Sequence, residues 1–167
     1  MQHAEARTRS TSALTTIPKR ILVATDFSET ADHALDYAIE LAARIGATVT
    51  VLHAYELPVV CFPDGAFIAS ADLSTRIAEA AQSGLDATTR TREGRGVELT
   101  KVLKQAAPWE AVAQATNELG IDLVVCGTHA RKGLVRTLLG SVAEKLVRTS
   151  PVPVLTIRAP EHAHAAP

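Results

Sequence analysis

Three glycines are spaced through one segment of the 167-residue chain, and the segment leads into a predicted helix. They are Gly127, Gly133 and Gly140, and the helical pattern begins at Ser141. The first N–H groups of a helix have no carbonyl partner within it, and the helix dipole adds partial positive charge, so such a turn attracts anions. The pattern therefore predicts a loop that binds phosphate. Three basic side chains in the same segment add further positive charge: Arg131, Lys132 and Arg136.

Two polar residues near this predicted site also have explanations that need no ligand. Ser141 and Glu144 fit the capping box S-x-x-E, in which the serine would only cap the helix. Asp26 follows the first predicted strand and would cap the helix that begins near Ser28. On the sequence alone, both explanations stay open beside ligand binding.

Two common nucleotide-binding motifs do not occur in the sequence. No G-x-G-x-x-G follows the first predicted strand, which disfavours a dinucleotide site of the usual kind. The pattern G-x-x-x-x-G-K-S/T is also missing, which excludes a P-loop. Any phosphate site in this chain must therefore have another form.

Five short runs are typical of β-strands. Ile21–Thr25 and Asp122–Gly127 are apolar runs, as expected of parallel strands covered on both faces. Residues 97–103 alternate and include Lys101, which favours a position at the sheet edge. The predicted strands are Ile21–Thr25, Thr48–Ala54, Val97–Leu103, Asp122–Gly127 and Val152–Ile157.

Four stretches between these strands have apolar residues at helical spacings of three and four. Ser28 is a candidate N-cap, and Gly46 stands where a left-handed residue ends a helix. Pro108 suits a first helical turn, whereas Gly84 weakens the interior of the second helix. The predicted helices are Ser28–Gly46, Asp72–Thr91, Pro108–Gly120 and Ser141–Thr149.

The alternation of strands and helices predicts a single doubly wound α/β domain, Rossmann-like, around a five-stranded parallel sheet. Pro151 and Pro153 lack backbone donors, which places the last strand at an edge of the sheet. Residues Val152 to Ile157 are apolar, and an exposed apolar edge invites aggregation. We therefore expect a homodimer in which this strand pairs with its copy.

The two ends of the chain and one internal stretch show no periodicity. Residues 1–17 are rich in Ser, Thr and Arg without the apolar core of a secretion signal, and we expect a disordered tail. Residues 159–167 are expected to form a second flexible tail, which leaves 18–158 as the folded domain. The stretch that contains Pro58, Pro63 and Gly65 is expected to be a loop.

Composition excludes several classes of protein. A hydrophobic fraction of 47% is enough for a sizeable core, so global disorder is excluded. The 17 basic and 18 acidic residues give a net charge of −1, which argues against a nucleic-acid partner. No run approaches the ~18 apolar residues of a membrane span. Two cysteines, Cys61 and Cys126, are too few for a disulfide framework and favour the reducing cytoplasm.

Three stretches of the sequence resemble the universal stress protein family. They are ATDFSETADHALDYA from Ala24, VTVLHAYE from Val49 and DLVVCGTHARKGLVRTLLGSVAEKLVRTSPVPVLTI from Asp122. The resemblance implies a sheet ordered 3-2-1-4-5 and a dimer through the last strand. It also implies ATP as the ligand, with Mg²⁺ bridging the phosphates rather than held in a protein cage.

The same resemblance implies a role for individual positions. Asp26 would contact the nucleoside, and the backbone of Ala54 would read the adenine edge. Backbone amides after Gly140, with the Ser141 hydroxyl, would bind the β- and γ-phosphates. The implied ATP-binding residues are Thr25, Asp26, Ala54, Gly127, Thr128, His129, Ala130, Arg131, Gly133, Gly140, Ser141 and Val142.

The chain departs from the family's ATP-binding pattern at one position. Members that bind ATP carry Gly-x2-Gly-x9-Gly-Ser/Thr, and here the second glycine is Ala130. If that position needs a left-handed backbone, alanine costs on the order of 1 kcal/mol, and its methyl group would crowd a phosphate. The nearby Gly133 adds some backbone freedom.

Two functions from different classes follow from these observations. The first is a stress-response protein that binds ATP and acts as a nucleotide-dependent regulator. The alternative is a nucleotide-free dimeric interaction module, in which Ala130 marks the loss of ATP binding. The sequence shows no catalytic constellation, so slow hydrolysis or autophosphorylation rests on family analogy alone.

Overall fold

The computed structural model describes residues 17–62, 65–68, 71–128 and 140–158. Within these ranges the chain forms strands and helices that alternate over most of its length. The strands are β1 (Arg20–Thr25), β2 (Thr48–Tyr55), β3 (Val59–Phe62), β4 (Gly65–Ile68), β5 (Leu99–Gln105), β6 (Leu123–Thr128) and β7 (Val154–Arg158). The helices are α1 (Glu29–Ile45), α2 (Ala71–Arg90), α3 (Pro108–Glu118) and α4 (Ser141–Thr149).

Five of the strands form one parallel sheet in the order β5-β2-β1-β6-β7. β1 lies at its centre, where Ile21 pairs with Val49 on one side and with Leu123 on the other. Counted along this sheet alone, the order is 3-2-1-4-5, which confirms the prediction. The two strands predicted at the edges, β5 and β7, are the edge strands.

The stretch predicted as a loop contains a second, two-stranded sheet, so that prediction is wrong. β3 and β4 pair antiparallel, with Val59 opposite Ile68 and Phe62 opposite Gly65. Pro58 stands just before β3, so the missing N–H falls outside the strand pairing. Pro58 precedes β3 and Gly65 is the first residue of β4, so neither interrupts a strand, and composition alone does not show this.

Alternate residues of the central strand pack against helices on opposite faces of the sheet. Ile21 and Val23 belong to the core beneath α1 and α2, whereas Leu22 belongs to the core beneath α3 and α4. All three side chains are fully buried. This is the period of two expected of a strand, and burial on both faces explains why β1 is a continuous apolar run.

Both predicted caps of the first helix are confirmed. The Ser28 hydroxyl accepts a hydrogen bond from the N–H of Ala31 at 3.2 Å. At the other end Gly46 adopts the left-handed conformation, with φ of 66°, and donates its N–H to the carbonyl of Ala42. These caps fix where α1 begins, directly after the end of β1.

None of the helices in the described part of the chain is long and apolar enough to cross a membrane.

A buried arginine ties the end of α2 to α1. The Arg92 side chain is 9% exposed and bonds both carboxylate oxygens of Asp36, at 2.9 and 3.1 Å. Asp32 lies 3.1 Å away, and Arg95 also bonds Asp36. Burial alone would raise the pKa of Asp36, but hydrogen bonds and charge from Arg92 and Arg95 outweigh it, so the pKa is lowered from its ordinary value.

We expect Asp36→Asn to reduce the free energy of unfolding at pH 7 by about 1 kcal/mol, since water screens part of the pair. A lowered pKa means that the carboxylate stabilises the fold fully above its ordinary pKa of 3.8 and loses this effect as the pH falls through the lower folded-state value. Urea unfolding at pH 7 and at successively lower pH should therefore show the two proteins converging in acid. Glu40→Gln, on the exposed face of α1, is the control, and a pH-independent difference would contradict the prediction.

Candidate functional site

A cavity of about 130 Å³ opens at the carboxyl ends of β1, β2 and β6. The strand order reverses at β1, and ligands of open α/β sheets bind at such a reversal. Six of the predicted site residues line the cavity, so the structure brings together residues that are far apart in the sequence. They are Thr25, Asp26, Ala54, Gly127, Ser141 and Val142.

The remaining wall of the cavity is mostly apolar, and sequence reasoning did not assign it to the site. Its residues follow strand and helix periodicity, so on the sequence they are indistinguishable from ordinary core residues. A mostly apolar wall beside a few polar groups is typical of a site for a small organic molecule. The additional lining residues are Ala24, Ser28, Ala31, Leu52, Pro108, Val112, Cys126 and Ala143.

The first turn of α4 forms the polar end of the cavity. Gly140 is the N-cap, and no side chain caps the helix. The first intrahelical bond runs from the N–H of Glu144 to the carbonyl of Gly140. The N–H groups of Ser141, Val142 and Ala143 therefore have no carbonyl partner within α4. All three residues line the cavity.

The capping-box explanation of Ser141 is wrong. A capping box needs the serine at the N-cap, but Ser141 is the first residue inside the helix. Glu144 does not reach back to the start of the helix and instead pairs with Arg148 at 3.6 Å. The Ser141 side chain is exposed at the cavity, where it is available to a ligand.

The turn between β1 and α1 is fixed by its own side chains. The carboxylate of Asp26 accepts the N–H of Ser28 at 3.1 Å, and the hydroxyl of Thr25 accepts the N–H of Phe27 at 3.0 Å. Ser28, not Asp26, is the N-cap of α1, so the suggestion that Asp26 caps this helix is wrong. These bonds hold Asp26 at the edge of the cavity.

Gly127 is required first of all by packing. A β-carbon added there would lie 2.9 Å from the backbone carbon and carbonyl oxygen of Thr30, in the first turn of α1. Backbone atoms cannot yield as a side chain does, so β6 and α1 approach this closely only because residue 127 has no side chain. The same glycine also lines the cavity.

Two further predicted site residues that the structure describes, Thr128 and Gly140, are not part of the cavity lining. The Thr128 side chain is buried, and its hydroxyl donates to the carbonyl of Ile157 at 3.3 Å, toward β7. Gly140 acts through the start of α4, as its N-cap. The predicted residues His129, Ala130, Arg131 and Gly133 lie outside the described residues.

Cys126 forms part of the apolar wall. Its side chain is buried, and burial raises the pKa of the thiol to about 11. The thiol is therefore protonated near neutral pH and acts as a small hydrophobe rather than a nucleophile.

The described residues include no cluster of three or more His, Cys, Asp or Glu side chains suited to a metal ion.

Comparison with known proteins identifies the family. The family model described as the universal stress protein family matches residues 18–158. The chain belongs to the universal stress protein family. A universal stress protein of Thermus aquaticus is 36% identical over 140 residues, which cover 84% of this chain and 98% of the relative. A solved universal stress protein from Burkholderia pseudomallei is 33% identical with a TM-score of 0.67, over 84% of this chain and 96% of that one.

Two solved members of the family contain nucleotides. One is a universal stress protein in complex with cAMP, with a TM-score of 0.62 and 24% identity over 86% of this chain and 98% of that one. The other, from Arabidopsis thaliana, has AMP bound, with a TM-score of 0.54 and 18% identity over 84% of this chain and 92% of that one. At these identities the likeness shows a shared fold.

We expect Gly127→Ala to lower the free energy of unfolding by about 1–3 kcal/mol, because α1 or β6 must shift to admit the methyl group. Urea denaturation of nucleotide-free protein measures this directly. Adding Thr30→Ala should restore part of the loss, since the Thr30 methyl is one of the atoms that the new β-carbon would meet. An unchanged unfolding midpoint would mean that Gly127 serves a ligand alone.

Proposed function

We propose that this cavity binds ATP, and that the protein acts in the cytoplasm as a nucleotide-dependent regulator in the stress response. The observation that carries the proposal is the first turn of α4, whose first three residues have N–H groups without helical partners and line a cavity with an apolar wall. The base would occupy the apolar part, and the phosphates would lie on the helix N-terminus.

The polar end suits an anion with several oxygens. Ser141, Val142 and Ala143 offer backbone N–H groups from consecutive residues, and the dipole of α4 favours negative charge there. The Ser141 hydroxyl adds a fourth donor. In the sequence, three basic residues precede α4: Arg131, Lys132 and Arg136. This additional positive charge favours a triphosphate over a monophosphate.

The opposite end has backbone polar groups that a base can reach. β1 pairs with β2 only as far as Thr25 opposite His53, whereas β2 continues to Tyr55 along β5. On the β1 side, the backbone beyond His53 therefore has no strand neighbour. Ala54 lies at this point and lines the cavity, so its main chain can recognise the edge of a purine.

The cation that accompanies ATP fits the same arrangement. Mg²⁺ commonly binds phosphate oxygens and water with one or two carboxylates. Asp26 is a carboxylate at the cavity edge, so Mg²⁺ would be held by the phosphates with help from the chain rather than by a protein cage. The family members solved with cAMP and AMP support nucleotide binding in general.

We expect Ser141→Glu to weaken ATP binding about tenfold or more, because it places a carboxylate beside the phosphates. The same change should leave stability unchanged or slightly higher, since acidic residues in a first helical turn are favourable. Calorimetric titration with ATP and Mg²⁺ measures the affinity, and urea denaturation measures the stability. If ATP affinity falls while the free energy of unfolding does not, Ser141 acts on the phosphates. If the free energy of unfolding falls as well, Ser141 caps the helix.

Ser141→Gln is the matched control, because it has a similar length without the charge. Adenosine is the matched ligand, and its binding should be insensitive to Ser141→Glu since it has no phosphates. If the native chain does not bind ATP but the Ala130→Gly variant does, the alternative function, a nucleotide-free interaction module, is correct. Release of ADP during the titration would point to an ATP-consuming activity instead.

We further propose that the protein is a homodimer through β7. β7 is an edge strand, and its residues from Val154 to Ile157 are only partly buried in the single chain. The carbonyl of Pro153 bonds the N–H of Val124 in β6, so alternation along the strand directs the N–H groups of Val154 and Thr156 toward the open edge. A second copy of the strand would satisfy them.

We expect Thr156→Pro to convert the dimer to a monomer, because it removes an N–H from the open edge without removing a bond to β6. Light scattering after gel filtration gives the mass. Thr156→Val is the control, because it keeps the N–H and the shape of the side chain. A dimer that persists with proline at position 156 would place the interface elsewhere.

A further inference from the structure

Phe27 has a backbone conformation that its type disfavours. Among the described residues it is the one non-glycine residue with positive φ, at 63°. A side chain in this left-handed region crowds the following carbonyl, so the conformation persists only where the surroundings impose it. The two neighbours of Phe27 in sequence, Asp26 and Ser28, both line the cavity.

The ring of Phe27 is held on one side by a histidine. It stacks on His53 with ring centroids 4.1 Å apart and planes 29° apart. His53 in turn donates its Nδ1–H to the carbonyl of Thr25 at 2.8 Å, which fixes the tautomer and the orientation of the imidazole. The histidine therefore links the ring to the end of β1, two residues earlier in the chain.

On another side the ring occupies a notch in α2. Gly84 lies inside this helix, where glycine is a poor helix former. A β-carbon at Gly84 would lie 2.8 Å from Cε2 and 2.9 Å from Cζ of Phe27. The glycine that looked like a weakness in the helical pattern is thus the space into which the ring fits.

We propose that Phe27 is a positioning residue for the nucleotide site, held by His53 and by the notch at Gly84. Its ring fixes the left-handed turn, and the turn sets the direction in which Asp26 and the start of α1 face the cavity. None of the described α2 residues lines the cavity, yet α2 determines its edge through this ring. This inference rests on the proposed nucleotide binding.

Gly84→Ala tests the proposal from a position outside the cavity. The new methyl group must displace the ring, and we expect ATP to bind about tenfold more weakly than to the native chain. Ser83→Ala is the matched control: it improves helix propensity at the neighbouring exposed position and should leave ATP affinity unchanged. Fluorescence of Trp109, the single tryptophan of the sequence and the neighbour of cavity-lining Pro108, gives a convenient titration signal.

Phe27→Leu supplies the second arm: by itself it should also weaken ATP binding, a result that does not depend on the Gly84→Ala variant folding. Leucine lacks the ring atoms that face Gly84, so the Gly84→Ala change should have little further effect on affinity in a Phe27→Leu background. Additive losses from the two changes would show that Gly84 acts on binding by another route. They would overturn the proposal.

Backbone amide NMR of nucleotide-free protein separates this inference from the proposed function. Gly84→Ala should shift the amide signals of Phe27 and Ser28, whereas Ser83→Ala should not. Unshifted signals, or native ATP affinity in Gly84→Ala, would overturn the role of Phe27. Failure of the native chain to bind ATP would instead overturn the proposed function, whatever the NMR spectra show.

Discussion

The parallel pairing of β1 with strands on both sides is the constraint on which the rest of the structure depends. β1 is buried on both faces and lies between β2 and β6. α1 and α2 pack on one face of the sheet, and α3 and α4 pack on the other. The helices α1 and α4 therefore lie on opposite faces of the sheet next to the carboxyl ends of the neighbouring strands β1 and β6, and a crevice opens at these strand ends. The cavity is a consequence of this topology before any side chain is considered.

A close backbone contact at Gly127 and a sharp turn at Phe27 then fix where α1 begins beside the crevice. At Gly127 the end of β6 touches the first turn of α1, which is possible only without a side chain. At Phe27 the chain turns sharply enough that only three residues separate β1 from α1. Both contacts involve the start of α1, so the position of this one helix end determines where Asp26 and Ser28 stand relative to the N-terminus of α4.

The sequence predicts the sheet well because its signals are local and redundant. The apolar run of β1, the caps at Ser28 and Gly46, and the prolines before β7 each indicate one structure, and all agree with the doubly wound fold. The strands β3 and β4 could not be found in this way, because their pairing depends on one short segment meeting another and their flanking prolines suggest a loop. The capping box failed by one residue: α4 begins after Gly140, so Ser141 falls inside the helix.

Which residues meet at the cavity was predictable where it depends on main-chain geometry and not where it depends on packing. Glycines before a helix indicate an anion site whatever the surrounding side chains are. The apolar wall, with Leu52 and Val112, has the periodicity of any core, and only the folded chain shows which core residues border an opening. Where a cavity uses backbone N–H groups, as in the first turn of α4, it places few demands on side-chain identity. It demands spacing and small residues at close contacts, such as the approach of β6 to α1 at Gly127.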